Sequence, residues 1–156
     1  MVVRVVESDE RIFAGLSSKE RGELAEMMFM VKAARKGFAT AKPYGDSRRY
    51  DFVLDVGNRL WRVQVKSSSA KQDGAYQVNL QRNLNGEVVA YDASEIDFVV
   101  AYVMPCDAWY VIPVEALAGQ KTIREPRCKT PSSRAMLTAA GTEAEIRLPY
   151  LGKTAE

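Results

Sequence analysis

Asp51, Gln64 and Lys66 are the residues whose types and spacing point most directly to chemistry. They lie in two alternating apolar/polar runs, Tyr50-Asp51-Phe52-Val53-Leu54-Asp55-Val56 and Arg59-Leu60-Trp61-Arg62-Val63-Gln64-Val65-Lys66, separated by Gly57-Asn58. Such runs around a Gly-Asn pair predict a β-hairpin with a two-residue primed turn. In that register Phe52 faces Val63 and Leu54 faces Trp61, giving one apolar face. On the other face Asp51 stands opposite Gln64, and Lys66 follows on the same side. Directly opposed residues have Cβ atoms ~4.5–5.5 Å apart. A carboxylate, an amide and an ammonium gathered this closely suit metal-dependent hydrolysis of a phosphodiester. The plain alternative is a solvated polar face with a weak Asp51–Lys66 pair.

Three neighbouring features favour the chemical reading. A helix precedes the hairpin: Ser17-x-x-Glu20 is a capping box, and Leu24, Met28, Val31 and Arg35 follow at helical spacing, with Met27 and Ala34 widening the stripe. Glu23 falls on the flank of that stripe, where it would lean over a sheet edge. Glu26 falls further toward solvent, and Glu20 is explained by the cap. The turn-rich loop from Lys42 to Arg49 then delivers Gly45, Arg48 and Arg49 just before Asp51. After the hairpin, Ser67-Ser68-Ser69 and Lys71 supply small hydroxyls and a cation suited to phosphate contacts.

Other elements follow from pattern. Gly37 ends the helix, and Phe38-Ala39-Thr40-Ala41 reads as a short extended run. Ser67 to Gly74 reads as a polar connection, Ala75–Leu80 alternates like a third strand, and Asn83 to Gly86 reads as a loop. Ile96–Met104 is nearly continuous apolar sequence, as expected of a central strand buried on both faces. Pro105-Cys106-Asp107 turns the chain, Trp109–Ile112 pairs back, and Pro113 opens a short helix through Leu117. From Gly119 the chain is basic and irregular, carrying Lys121, Arg124, Arg127, Lys129 and Arg134, with a helix expected near Ser133–Ala140 and a strand at Glu143–Leu148. Trp61 and Trp109, set among valines, are expected in the core rather than stacked on bases.

Composition narrows the function. The 156 residues form one expected domain, 1–156, with a core at about 17–117 and a basic extension at 118–156. Net charge is only +2, so any nucleic-acid contact must be a local patch. There is no histidine, which removes Ser-His-Asp and Cys-His catalysis, histidine-based zinc sites and nucleases with a histidine base. Neither a P-loop nor GxGxxG occurs. Cys106 and Cys128 have neither metal-site spacing nor the density of a disulfide framework, so reduced thiols and a cytoplasmic location are expected. No apolar run approaches a membrane span, and Met1–Glu10 is charged, unlike a signal peptide.

Taken together, Gly22-Glu23, Gly37-Phe38, Pro43-x-Gly45 with Tyr50-Asp51, and Val63-Gln64-Val65-Lys66 resemble the PD-(D/E)xK nuclease superfamily, and within it the group I intron homing-endonuclease branch. The Ile96–Tyr102 and Tyr110–Pro113 runs resemble that branch too, so the likeness covers about Ser17 to Leu117. It implies an α/β, restriction-endonuclease-like core: a mixed central β-sheet flanked by helices in the order αβββαβ. It also implies a Mg²⁺-dependent DNA endonuclease, with Mn²⁺ able to substitute, acting on double-stranded DNA. Asp51 would bind the ion directly, Glu23 directly or through water, and the Val65 carbonyl would be a further ligand. Lys66 would position the attacking water or stabilise the transition state, and Gln64 would orient that water or Lys66. The superfamily usually has Asp or Glu at the Gln64 position, and the homing-endonuclease branch resembles this chain in carrying glutamine there. The missing charge should weaken Mg²⁺ binding unless Glu23 compensates. Arg48, Arg49, Ser67 and Lys71 are the expected DNA contacts, together with the basic tail. A Holliday-junction resolvase-type nuclease and an inactive DNA-binding module on the same fold are the competing readings. Cutting both strands with one site per chain most simply needs two-fold symmetry, so a homodimer or homotetramer is expected, burying part of Ile96–Leu117 or the C-terminal segment.

Overall fold

The computed structural model of the protein describes Phe13, residues 15–117 and residues 121–125. Its first element, α1 (Ser18–Arg35), starts at the capping box: Ser17 Oγ accepts from the Glu20 N–H, and Glu20 Oε2 accepts from the Ser17 N–H at 2.7 Å. It closes in a Schellman pattern, with Phe38 N–H on Ala33 O and Gly37 N–H on Ala34 O.

The buried side of α1 differs from the expected stripe. Ala25, Phe29 and Ala33 are buried, whereas Met28 is 37% exposed, Met27 51% and Val31 53%. This helix carries two apolar phases. Two alanines flanking one phenylalanine let the helix axis approach the sheet, while Phe29 stacks obliquely on Phe52 with ring centroids 5.3 Å apart. The bulkier phase stays outside.

One five-stranded sheet carries the molecule. It comprises β1 (Ala39–Ala41), β2 (Phe52–Asp55), β3 (Leu60–Ser68), β8 (Phe98–Val103) and β9 (Ala108–Pro113), adjacent in that order. Only β3 and β8 run parallel, so the sheet is mixed. The β2–β3 register is the expected one, Phe52 with Val63 and Leu54 with Trp61. Gly57 (φ +94°) sits at the first turn position, as a type II′ turn requires. Residues Val99 to Val103 of β8 are all buried. One face of the sheet covers a core shared with α1, including Phe52, Val63, Val65, Val100 and Trp109. The other covers a second core with Tyr76, Val78, Leu80, Tyr91, Ile96, Val99 and Ile112.

The crossover from β3 to β8 is built from β-ribbons, whereas the αβββαβ shorthand expects a helix there. The polar connection and the loop become hairpins: β4 (Lys71–Gln72) pairs with β5 (Ala75–Asn79), and β6 (Arg82–Leu84) pairs with β7 (Glu87–Val89). Asp73-Gly74 and Asn85-Gly86 turn them, each pair with φ positive at both residues, the type I′ condition. β10 (Thr122–Glu125) adds to β5, so the start of the basic segment is ordered strand rather than irregular chain. The expected Pro113–Leu117 helix is a 3-10 turn over Val114–Leu117. The elements expected at Ser133–Ala140 and Glu143–Leu148, and residues Arg127, Lys129 and Arg134, lie outside the described residues.

Trp109 is core, stacked on Tyr102 at 3.9 Å. Trp61 packs edge-on against Phe98, with the Arg59 guanidinium over its ring. Cys106 is disulfide-bonded rather than a reduced thiol, which removes the thiol argument for a cytoplasmic location; Cys128 lies outside the described residues. Among the described residues no helix is long and apolar enough to cross a membrane.

Candidate active site

The site forms where β3 outruns β2. Strand β2 begins at Phe52, opposite Val63, so the next outward-directed backbone group on that edge of β3, at Val65, has no β2 residue beside it. Asp51 fills the gap. Its N–H donates to Val63 O at 2.9 Å, and its Oδ2 accepts from the Val65 N–H at 2.7 Å and from Gln64 Nε2 at 2.6 Å. Gln64 Nε2 also faces the Val65 carbonyl at 3.3 Å. Both partners of the amide nitrogen are acceptors, so the nitrogen must point inward and Oε1 away from Asp51. Among the described residues both hydrogen bonds accepted by the Asp51 carboxylate fall on Oδ2, which leaves Oδ1 open. The open Oδ1 and the Val65 carbonyl are hard oxygen donors on one edge, the kind that suits Mg²⁺.

The site is electrostatically short of positive charge. Burial pushes the Asp51 carboxyl above the usual aspartate range, and the nearby Glu26 charge pushes it the same way. The Val65 N–H, Lys66 and Gln64 oppose that shift without cancelling it. Burial lowers the Lys66 ammonium from its ordinary value, with Asp51 pulling the other way. Two half-buried charged groups shifted off their ordinary pKa values beside one strand make this patch the candidate site.

The helix carboxylate near Asp51 is Glu26. Its Oε2 takes an ion pair from Lys42 Nζ at 2.5 Å, and the field of Glu26 reaches Asp51. Glu23 is exposed and sits 3.9 Å from Lys19 across one helical turn. Glu23 stands further from the cluster than Glu26, though its charge still reaches Lys42. The physical reason is the helix phase: with Ala25, Phe29 and Ala33 inward, Glu26 flanks the buried side and Glu23 lies on the same flank but turned further toward solvent. The alanine–phenylalanine–alanine spacing in the sequence was the available signal.

The expected DNA contacts spread around this patch. Arg48 is exposed, Arg49 lies 3.8 Å from Glu95, Ser67 is half-buried on β3, and Lys71 is exposed above the Tyr76 ring. Two residues with no motif join them. Tyr91 places its ring 5.5 Å from Lys66 Nζ, and Arg82 pairs with both Glu95 oxygens at 2.7 and 2.9 Å. Burial raises the Tyr91 phenol well above its ordinary value, and the Asp51 charge adds to that. Among the described residues no group of three or more His, Cys, Asp or Glu side chains could hold a metal ion, so any ion here also relies on backbone and water oxygens.

Comparison with known proteins converges on the same reading. A family model described as PD-(D/E)XK endonuclease matches residues 16–140. Among solved structures, a bacterial homing endonuclease, I-Ssp6803I, is similar to this chain at 34% identity and a TM-score of 0.62, over 70% of this chain and 78% of that one. No protein of curated function matches.

Proposed function

Because the chain belongs to the PD-(D/E)XK endonuclease family, and is therefore a nuclease, we propose that it is a Mg²⁺-dependent, homing-endonuclease-like enzyme cutting double-stranded DNA. The observation that carries this is Asp51: a half-buried carboxylate anchored through Oδ2, with Oδ1 open among the described residues and its charge incompletely balanced. Asp51 Oδ1, the Val65 carbonyl and Glu26 are the oxygens that would hold the ion, with Glu26 in the role first expected of Glu23. When bound, the ion supplies Lewis acidity and charge neutralisation at the phosphodiester.

The protein's own groups do the rest. The Val65 N–H and Gln64 hold the Asp51 carboxylate in one orientation, so it does not reorganise during the reaction. Gln64 Oε1 points away from Asp51 and can accept a proton-bearing water. Lys66 places its ammonium beside Asp51, where it can stabilise the negative charge that builds on the phosphoryl oxygens. Arg48, Arg49, Ser67 and Lys71 would contact phosphates along the strand and set its register without reading sequence. Two copies related by a two-fold axis would cut both strands, which light scattering with and without DNA tests.

A cleavage assay tests the whole reading. Supercoiled plasmid carrying candidate sites and a synthetic four-way junction are each incubated with Mg²⁺, with Mn²⁺ and with chelator. Metal-dependent double-strand cutting of the plasmid is expected. Preference for the junction would move the assignment to a resolvase-type nuclease, and binding without cutting under every metal condition would reject an active site.

A further inference from the structure

Lys66 is half-buried, yet among the described residues it has no hydrogen-bond or ion-pair partner. What lies against its ammonium is the ring of Tyr91, 5.5 Å from Nζ. Tyr91 comes from the crossover just after β7 and is itself only 8% exposed. Its ring is held by a second cation: the Arg82 guanidinium carbon lies 5.9 Å from the same centroid, and Arg82 is pinned to Glu95. The Arg82 Nε and Nη1 are buried without hydrogen-bond partners, as expected of N–H groups beside an aromatic face.

Resting on the nuclease reading above, we propose that Tyr91 is a positioning residue for the reaction, its ring face holding the Lys66 ammonium where the phosphate is to arrive. A lysine head on a flexible four-carbon stem must be fixed before it can stabilise a transition state. A carboxylate partner would fix it but would occupy donors and cancel charge. An aromatic face attracts the cation while leaving its three N–H donors free for phosphate and water. The Arg82–Glu95 pair in turn keeps the ring from turning away.

The test changes the ring's electrostatics at nearly constant shape. Position 91 is replaced by Phe, then by phenylalanines of increasing ring fluorination, which withdraw negative charge from the ring face. Tyr91→Phe retains activity. Along the fluorinated series kcat falls progressively, by about tenfold at full fluorination, with KM nearly unchanged. A residue that merely fills space gives a flat series.

Thermal unfolding supplies a readout that needs no cutting. The same replacements are made in a Lys66→Met background, and the difference between the two series isolates the ring–ammonium coupling. Tm falling with fluorination in the parent series relative to the Lys66→Met series supports the contact. Flat kcat together with parallel unfolding series overturns the proposal. If even the parent protein cuts no DNA, the nuclease reading fails, and the unfolding comparison still decides the contact.

Discussion

Strand β3 meets a carboxylate on each edge, and the two are treated in opposite ways. On the β8 edge, Asp97 is closed off. Its Oδ2 accepts from the Arg62 N–H at 2.7 Å and from Arg62 Nε at 3.2 Å, and its Oδ1 accepts from Arg62 Nη2 at 3.0 Å. Arg62 also donates to the carbonyls of Ala93 and Ser94, and the Asp97 N–H returns to Arg62 O. Burial works against the Asp97 charge, but the Arg62 hydrogen bonds outweigh it and hold the carboxyl below the ordinary range. On the β2 edge Asp51 meets a neutral glutamine instead of an arginine, gains a second negative charge from Glu26, and is raised rather than lowered. One carboxylate is matched by the fold, and the other leaves a demand for positive charge that the fold does not meet. A metal ion at the second would complete what Arg62 completes at the first.

The largest expected effect comes from breaking the unmatched edge. Asp51→Asn should lower cleavage by about a thousandfold or more, since it removes the charge on which metal binding depends. It should at the same time raise Tm in the absence of metal, because a buried, poorly balanced charge disappears. Mg²⁺ should raise the parent's Tm, by about 2.7 kcal/mol of stability at a hundred times Kd, and leave Asp51→Asn unmoved. Equal stabilisation of both proteins by Mg²⁺ would put the ion elsewhere. Glu26→Gln should weaken Mg²⁺ binding more than Glu23→Gln, and the reverse order would restore Glu23 as the helix ligand.

Breaking the matched edge should do the opposite. Asp97→Asn leaves Arg62 without its charge partner and should cost about 2 kcal/mol in denaturant unfolding. Below its melting range the variant should cut at close to the parent rate. A large loss of kcat with unchanged stability would show that the two edges are coupled across β3.

The two carboxyls also bend the pH profile in opposite directions. Asp97, lowered on folding, contributes stability that is present above the unfolded aspartate value, about 3.9, and is lost as pH falls through its lower folded value. Asp51, raised on folding, makes the metal-free protein gain stability as pH falls through its folded value toward about 3.9. Metal-free Tm should therefore rise on mild acidification and drop on stronger acidification. Asp51→Asn should erase the rise and Asp97→Asn should soften the drop. Excess Mg²⁺ should also erase the rise.

What the sequence revealed divides along similar lines. The hairpin register, the Ser17–Glu20 cap, the buried β8 and the Asp51–Gln64–Lys66 patch follow from local rules of alternation, turn chemistry and capping, and all are legible. The helix phase is not. Ala25, Phe29 and Ala33 compete with Met27, Met28 and Val31 for the buried side, and packing on the sheet decides between them, which turns Glu26 rather than Glu23 toward Asp51. The Asp73-Gly74 and Asn85-Gly86 hairpins were readable from turn chemistry but sat in polar sequence that suggested loops. Tyr91 carries no motif, and only the crossover brings it to Lys66.

The smallest expected effect, and the sharpest on the comparison, is at Gln64. Its Nε2 lies 2.6 Å from Asp51 Oδ2, so Gln64→Glu replaces a donor facing that oxygen with a second carboxylate. Without metal, the two charges repel in a buried place, which should lower Tm slightly and raise the Asp51 carboxyl further. With metal, the added charge should tighten Mn²⁺ or Mg²⁺ binding several-fold, measured by calorimetry. Activity need not follow affinity, because the amide that fixes Asp51 and presents Oε1 to water is gone. Tighter binding with a slower kcat would show that Gln64 orients the site while the ion supplies its charge. Unchanged affinity would place residue 64 outside the reach of the ion, leaving Asp51 and the helix carboxylate to hold it with the backbone.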